Sequence, residues 1–524
     1  MFLERVVENL EKKSDKVVLI DKKNGKYIPL TFKDLKKRIS TIQDKLSELN
    51  EEDRVVIFME NSPLWIASLF AVIFKRGIAV PSDYLLSEKE IFNIFRDAQP
   101  RYIITSSANE EKVKKAVKKL GYKPAVINVD KLSFDEDKPL TVKVPDIDEV
   151  AVILYTSGTT GNPKGVMLTY KNLNHNIEGI EDTGVLREND RFAAILPFHH
   201  TYPLLVTAIL PIVEALPVAF IEKLTPNDIL STIREQNVTI MVGVPKLYQV
   251  IYHNIMVEIG KLSGPKKSIV NSALKLFKKV GIKKLQRAVF KEVHKKIGPS
   301  LRFMISGGAK LNVEVAKGLE ALGFNILEGY GLTETSPLVS VNRPDKKKIG
   351  SAGLPIKGVE VKIVNGEIVV KGDNVMKGYY NRPEETEAVI RDGWFYTGDL
   401  GFIDDDGFIH ITGRAKDVIV LDNGKNVYPE DIENEIFKSN YILEVGVFEE
   451  DGVIKAIIRP DFELLIEEGV EDIHEFIKQE VKRTTRHLQS YKKVKEFKLT
   501  DRELPRTRIG KLRRFMLPDM YKEI

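Results

Sequence analysis

At 524 residues the chain is longer than one hydrophobic core usually organises, so two or more domains are expected. Its 43% apolar and 30% charged content is that of an ordinary folded protein, and the absence of cysteine excludes disulfides, thiolate zinc sites and a cysteine nucleophile. Net charge is only +5, with 80 basic against 75 acidic side chains, so no overall polycation for nucleic acid is present.

The N-terminal MFLERVVENLEKKSDK is charged throughout and has no apolar signal core, which leads to the expectation of a cytoplasmic protein. The longest clean apolar run, LWIASLFAVIF at 64–74, is too short to cross a bilayer. Strand-like runs (YIITS, AVILY, FAAIL, TIMVGV, RFMIS) alternate with helical patterns, which predicts an α/β body with parallel sheets.

After AVILY comes YTSGTTGNPKGV, 155–166. It packs the hydroxyls of Thr156, Ser157, Thr159 and Thr160 with Gly158, Gly161, Lys164 and Gly165, the composition of a phosphate cradle. The strand before it and a helix capped by Thr169 after it are expected to frame the loop. It is no Walker loop, because Pro163 stands where that pattern requires glycine. His199 and His200 are adjacent, so on a strand they would point to opposite faces and not form a metal pair.

From Lys261 to Arg302 there are thirteen lysines and arginines against a single acid, Glu292. Ile269, Ala273, Leu276, Phe277 and Val280 fall at helical spacing among them. Such a basic amphipathic helix either lies on an anionic membrane surface or packs its stripe on the protein. In EGYGLTETSPL, 328–338, Glu334 takes the place of the third glycine of a dinucleotide fingerprint, and no Gly-x-Ser-x-Gly elbow occurs anywhere. VEVKIVNGEIVVKG alternates about an Asn-Gly turn and reads as a hairpin of a small β-rich subdomain.

YTSGTTGNPKG, LPFHHTYPL, SGGAKL, EGYGLTETSP, GYYNRPEET, DGWFYTGDLG, GRAKDVIVLDNGKNVYPEDIE and ELPRTRIGKLRR occur in this order. Together they resemble the adenylate-forming superfamily of acyl-CoA synthetases, luciferases and peptide-synthetase adenylation domains. The resemblance covers nearly the whole chain, with long-chain fatty acyl-CoA synthetases nearest, since shorter-chain and aryl relatives generally run almost directly from the VGVPKLYQVI region to LRFMISGGA without a helical insertion such as 261–302.

What the resemblance implies is specific. The fold would be an α/β N-terminal body, residues 1–413, with two mostly parallel sheets and a small β-barrel. A mobile α+β C-terminal domain, 414–524, would pivot at Lys416. ATP would be held by Thr156, Ser157, Gly158, Thr159, Thr160, Gly161 and Lys164 on the phosphates, Gly307, Gly308, Ala309, Tyr330 and Gly331 around adenine, and Asp399 and Arg414 at the ribose. Thr333 would meet the α-phosphate, Glu334 would hold Mg²⁺, and Lys511 would bridge carboxylate and α-phosphate during adenylation. His200 would line the acyl entrance, and Gly424, Lys425 and Asn426 would border a thiol channel.

The implied reaction joins a long-chain fatty acid to ATP, releases pyrophosphate, and passes the acyl group to CoA, or to an acyl carrier protein in the nearest alternative. A relative that binds nucleotide or lipid as a sensor without turnover is the alternative of another class, but it would be expected to lack Lys511, Glu334 or Asp399. An anionic membrane surface is the further partner expected. A homodimer is among the oligomeric states left open.

Overall fold

The computed structural model describes residues 1–156, 163–421, 425–507, 510 and 512–524. Two large sheets dominate the body. In the nine-stranded sheet, strands Val17–Lys23, Val218–Ala219, Phe192–Ala193, Ile240–Gly243, Phe303–Ser306 and Ile326–Gly331 run parallel in that spatial order. Antiparallel strands finish both edges, Lys26–Thr31 on one side, Leu338–Val341 and Leu354–Pro355 on the other. The seven-stranded sheet has the parallel order Ala125–Asn128, Tyr102–Thr105, Arg54–Phe58, Ile78–Pro81, Val150–Thr156, continued by antiparallel Lys164–Thr169 and Gly378–Tyr379.

The apolar run at 64–74 becomes the helix Pro63–Ile73, started by Ser62, whose hydroxyl accepts from the Trp65 amide. Apolar on all sides, it is buried on all sides, as a helix without a polar face must be. No helix among the described residues is long and apolar enough to cross a membrane.

The β-rich subdomain is a five-stranded antiparallel sheet built on the expected hairpin, Glu360–Val364 and Glu367–Lys371. Asn365 and Gly366 between them have φ of 52° and 82°, the paired left-handed residues of a tight type I′ turn. From Ile419 onward a separate apolar core forms. It lies around the antiparallel pair Ile442–Glu450 and Val453–Pro460, with Glu496–Leu499 parallel to the latter and helices Pro429–Ile436 and Ile473–Thr484 packed on it.

The glycine-rich loop is framed as expected by the strand Val150–Thr156 before it and the helix Tyr170–Glu181 capped by Thr169 after it, with Lys164–Thr169 as an intervening strand antiparallel to the first and Thr156 opposite Lys164. One local expectation is corrected. The basic segment is three helices, Gly264–Phe277, Lys283–Val289 and Lys291–Ile297, and its apolar stripe is split. Leu274 and Phe277 are buried, with Ala273 packed beside them, while Ile269, Leu276 and Val280 face outward.

Candidate active site

A cleft opens where the C-terminal unit meets the body. Its walls include Gly308 and Ala309, which follow the strand Phe303–Ser306, Tyr330 and Gly331 at the end of Ile326–Gly331, and Asp399 and Arg414. Asp399 and Arg414 are register partners on the strands Trp394–Ile403 and Ile409–Arg414, so the pleat brings their side chains to one place. Arg414 Nε lies 2.7 Å from Asp399 Oδ1, and the Tyr330 hydroxyl donates to Asp399 Oδ2 at 2.9 Å. Burial pushes the Tyr330 phenol far above its ordinary value, so it remains a neutral donor.

Gly331 is pressed against the returning chain. A Cβ there would stand 1.6 Å from the Pro337 carbonyl oxygen, so only glycine fits. Gly307, one residue before the cleft, is covered by the Tyr202 ring, whose hydroxyl donates to the Ile305 carbonyl.

Thr333 and Glu334 sit in a short 3-10 turn, Thr333–Thr335. Glu334 Oε1 accepts the Tyr379 hydroxyl at 2.9 Å, and Lys164 Nζ lies 5.1 Å from the centre of the Tyr379 ring. Tyr379 thus links the lysine of the glycine-rich loop to Glu334. The sequence reading assigned it no role; its signal lay in GYYNRPEET, which places it on the strand beside Lys164–Thr169. Thr156 Oγ1 faces the Lys164 carbonyl at 3.5 Å.

Among the described residues no group of three or more His, Asp or Glu side chains gathers as a metal cage. Glu334 offers one carboxylate instead, which fits Mg²⁺, an ion that is usually held by one or two carboxylates together with substrate phosphates.

Ser157, Gly158, Thr159, Thr160, Gly161, Gly424 and Lys511 lie outside the described residues. Gly510 and Leu512, on either side of Lys511 in the chain, do line the cleft, together with Gly308, Tyr330 and Asp399. His200 does not line it. It precedes the short helical turn Thr201–Pro203, and its ring is 4.5 Å from that of His199, so the expected opposition of the two on a strand is corrected. Lys416 occupies the 3-10 turn Ala415–Asp417 directly after Arg414, and burial pulls its amine below the ordinary lysine value. Lys425 lies over the Tyr491 ring at 4.4 Å, and Asn426 pairs with Val420.

Residues 6–380 match the family described as AMP-binding enzyme, and residues 416–524 match the AMP-binding enzyme C-terminal domain. The chain is an AMP-binding enzyme. This AMP-binding enzyme is 30% identical to a long-chain-fatty-acid–CoA ligase of Bacillus subtilis (strain 168), over 90% of this chain and 86% of the relative. It is equally 30% identical to a feruloyl-CoA synthase of Amycolatopsis sp, over 78% of each. A chloroplastic long-chain-fatty-acid–[acyl-carrier-protein] ligase of Arabidopsis thaliana is 28% identical, over 86% of this chain and 75% of the relative. Among solved structures, the anthranilate CoA ligase AuaEII in complex with anthranoyl-AMP superposes with a TM-score of 0.83 at 21% identity, covering 99% of this chain and 97% of that one. The fold of the AMP-binding enzyme is therefore that of the adenylate-forming ligases.

Proposed function

We propose that the enzyme activates a long-chain fatty acid. Its carboxylate oxygen attacks the α-phosphorus of ATP, the bond to the β-phosphate breaks, and pyrophosphate leaves with the electron pair. A thiol sulfur, that of CoA, then attacks the acyl carbon, and AMP departs as the thiol proton is lost.

The observation that carries this reading is the shared cleft of Tyr330, Asp399 and Arg414 with Gly510 and Leu512, the neighbours of Lys511. In that reading Asp399 takes the ribose hydroxyls, Thr333 the α-phosphate, and Thr156, Lys164 and the loop between them the departing phosphates. Lys511 offsets the charge that builds between carboxylate and phosphate. Mg²⁺ would be held by Glu334 and would offset phosphate charge when bound. Tyr379 keeps Glu334 aimed. A turn at Lys416 would exchange the adenylating arrangement for one presenting the thiol.

The basic insertion supports the long-chain substrate and a docking mode. Ile269, Leu276 and Ile282 are 65%, 56% and 51% exposed, with Val280, Leu285 and Val289 beside them in sequence also exposed. Lys275, Lys279 and Lys284 between them are exposed and have no ion-pair partner among the described residues. Bulky apolar groups interleaved with uncompensated lysines suit an anionic bilayer, in which long-chain acids dissolve.

Protein incubated with ATP, Mg²⁺ and palmitate should release pyrophosphate, and palmitoyl thioester should follow on adding CoA. Turnover of ferulate or 2-succinylbenzoate with none of palmitate would refute the long-chain assignment. Thioester formed only with an acyl carrier protein would favour the second reading, which the Arabidopsis relative and the basic surface support.

A further inference from the structure

The strand Ile442–Glu450 of the C-terminal unit carries a carboxylate, Glu444, whose side chain is only 1% exposed. Three cations from three parts of the chain converge on it. Lys246 Nζ, from the body helix Pro245–Gly260, is 2.9 Å from Oε1. Arg506 Nε donates to the same oxygen at 3.0 Å, and Arg459 Nη1 to Oε2 at 3.1 Å. Burial draws the Glu444 carboxyl upward, but Lys246 and Arg506 outweigh it and hold the group below its ordinary value.

Arg506 also reaches forward. Its Nη1 donates to the Gly510 carbonyl at 2.8 Å, and its backbone bridges to Leu512. Gly510 in turn sits against the body, since a Cβ there would lie 3.6 Å from Lys246 Cβ and 3.7 Å from Val244 Cγ2. A continuous path therefore runs from Lys246 through Glu444 and Arg506 to the residues flanking Lys511. Other contacts across the same junction, His253 with Asp461 at 2.8 Å and Lys261 with Glu467 at 3.7 Å, do not touch this segment.

We propose that Lys246 and Glu444 are positioning residues for the adenylation half-reaction, a clasp that ties the segment around Lys511 to the body only while the C-terminal unit is docked. The physical reason is the asymmetry of a buried ion pair. Burial pulls the Lys246 amine below its ordinary value even beside Glu444, so the docked state depends on the carboxylate staying in place. When the C-terminal unit leaves, Lys246 parts from Glu444 while Arg506 and Arg459, on the same unit as Glu444, stay with it, so the tie between that segment and the body is released. This rests on the adenylate-forming reading above and adds a residue-level condition to it.

The test compares K246A, K246R, E444Q and K246A/E444Q in two assays: pyrophosphate release from ATP and palmitate, and thioester formation from supplied palmitoyl-adenylate and CoA. K246A should slow pyrophosphate release about tenfold while leaving thioester formation within about twofold. K246R should recover most of the loss. The double variant should be no slower than E444Q, because the two side chains form one device. Equal loss in both assays, no loss in K246A, or additive losses in the double variant would each overturn the proposal.

K246A leaves Glu444 with both arginines, so it decides the matter if E444Q fails to fold. A readout independent of activity comes from the cysteine-free chain. Asn312 of the body and Asn434 of the C-terminal unit approach to 3.3 Å, so N312C/N434C can be bridged as a disulfide on adding a mild oxidant such as diamide. Adding K246A should slow that bridging, and an unchanged rate would overturn the clasp. If the wild type releases no pyrophosphate from palmitate, the substrate reading fails, while bridging still reports on the clasp.

Discussion

Replacing Asp399 by asparagine isolates its charge from its shape. Its side chain is 6% exposed, with Oδ1 2.7 Å from Arg414 Nε and Oδ2 accepting the Tyr330 hydroxyl at 2.9 Å. The amide oxygen of Asn can keep the arginine, and its NH₂ can donate to the tyrosine oxygen, so the local packing should survive. What is lost is a charged acceptor for the ribose, and a hydrogen bond to a charged group is worth roughly 1.5–3 kcal/mol. D399N should therefore raise the KM for ATP by about 10- to 150-fold, with a smaller effect on kcat. The assay is pyrophosphate release against ATP concentration at saturating palmitate, with circular dichroism as a folding control. A folded D399N whose KM for ATP changes by less than about threefold would show that the Asp399–Arg414 pair is structural and does not take the ribose.

E334Q should raise the Mg²⁺ concentration for half-maximal activity about tenfold, and Y379F should shift it less in the same direction; an unchanged Mg²⁺ titration in both would remove Glu334 from the metal. Glu328, also in the cleft wall, is buried, which pushes its carboxyl up to about 7 from 4.5 despite the Gly350 amide it accepts. The folded state thus holds this proton more tightly than the unfolded chain, so its contribution to stability is present below about 4.5 and lost as pH rises through about 7. The melting temperature of E328Q relative to wild type should accordingly increase between pH 5 and pH 8, and a constant difference would refute the assignment. K275Q/K279Q/K284Q should lose salt-sensitive binding to anionic vesicles and keep activity on detergent-dispersed palmitate; unchanged binding would mean the insertion faces something else. Lys278 and Lys283 are left out of that variant because they pair with Glu314 and Glu320.

The parallel sheets, the Asn365–Gly366 hairpin and the Thr169 cap were legible in the sequence because each depends on local chemistry: β-branched runs, φ above zero, a hydroxyl before a helix. Gly308, Ala309, Tyr330, Gly331, Asp399 and Arg414 were legible because the motifs stand in register, and the sheets bring their ends to one cleft. The split of the basic stripe was not. Which of Phe277 and Leu276 is buried depends on the helix Val313–Ala321 packing beneath, which periodicity within the segment does not reveal. Tyr379, Lys246 and Glu444 went unassigned for the same reason: their partners are 45, 198 and 198 residues away, and only the folded chain joins them. His199 and His200 were misplaced because the chain turns there instead of extending.

Arg414 is the last residue of its strand, and the 3-10 turn containing Lys416 begins at the next one. A pivot in that turn would swing everything after it while leaving the Asp399–Arg414 pair on the body. The nucleotide would then stay anchored through both halves of the cycle, with pyrophosphate leaving before the thiol step and AMP only after it. AMP should therefore compete with ATP for the free enzyme, and the lifetime of its complex would set a ceiling on turnover that no improvement in the acyl site could lift.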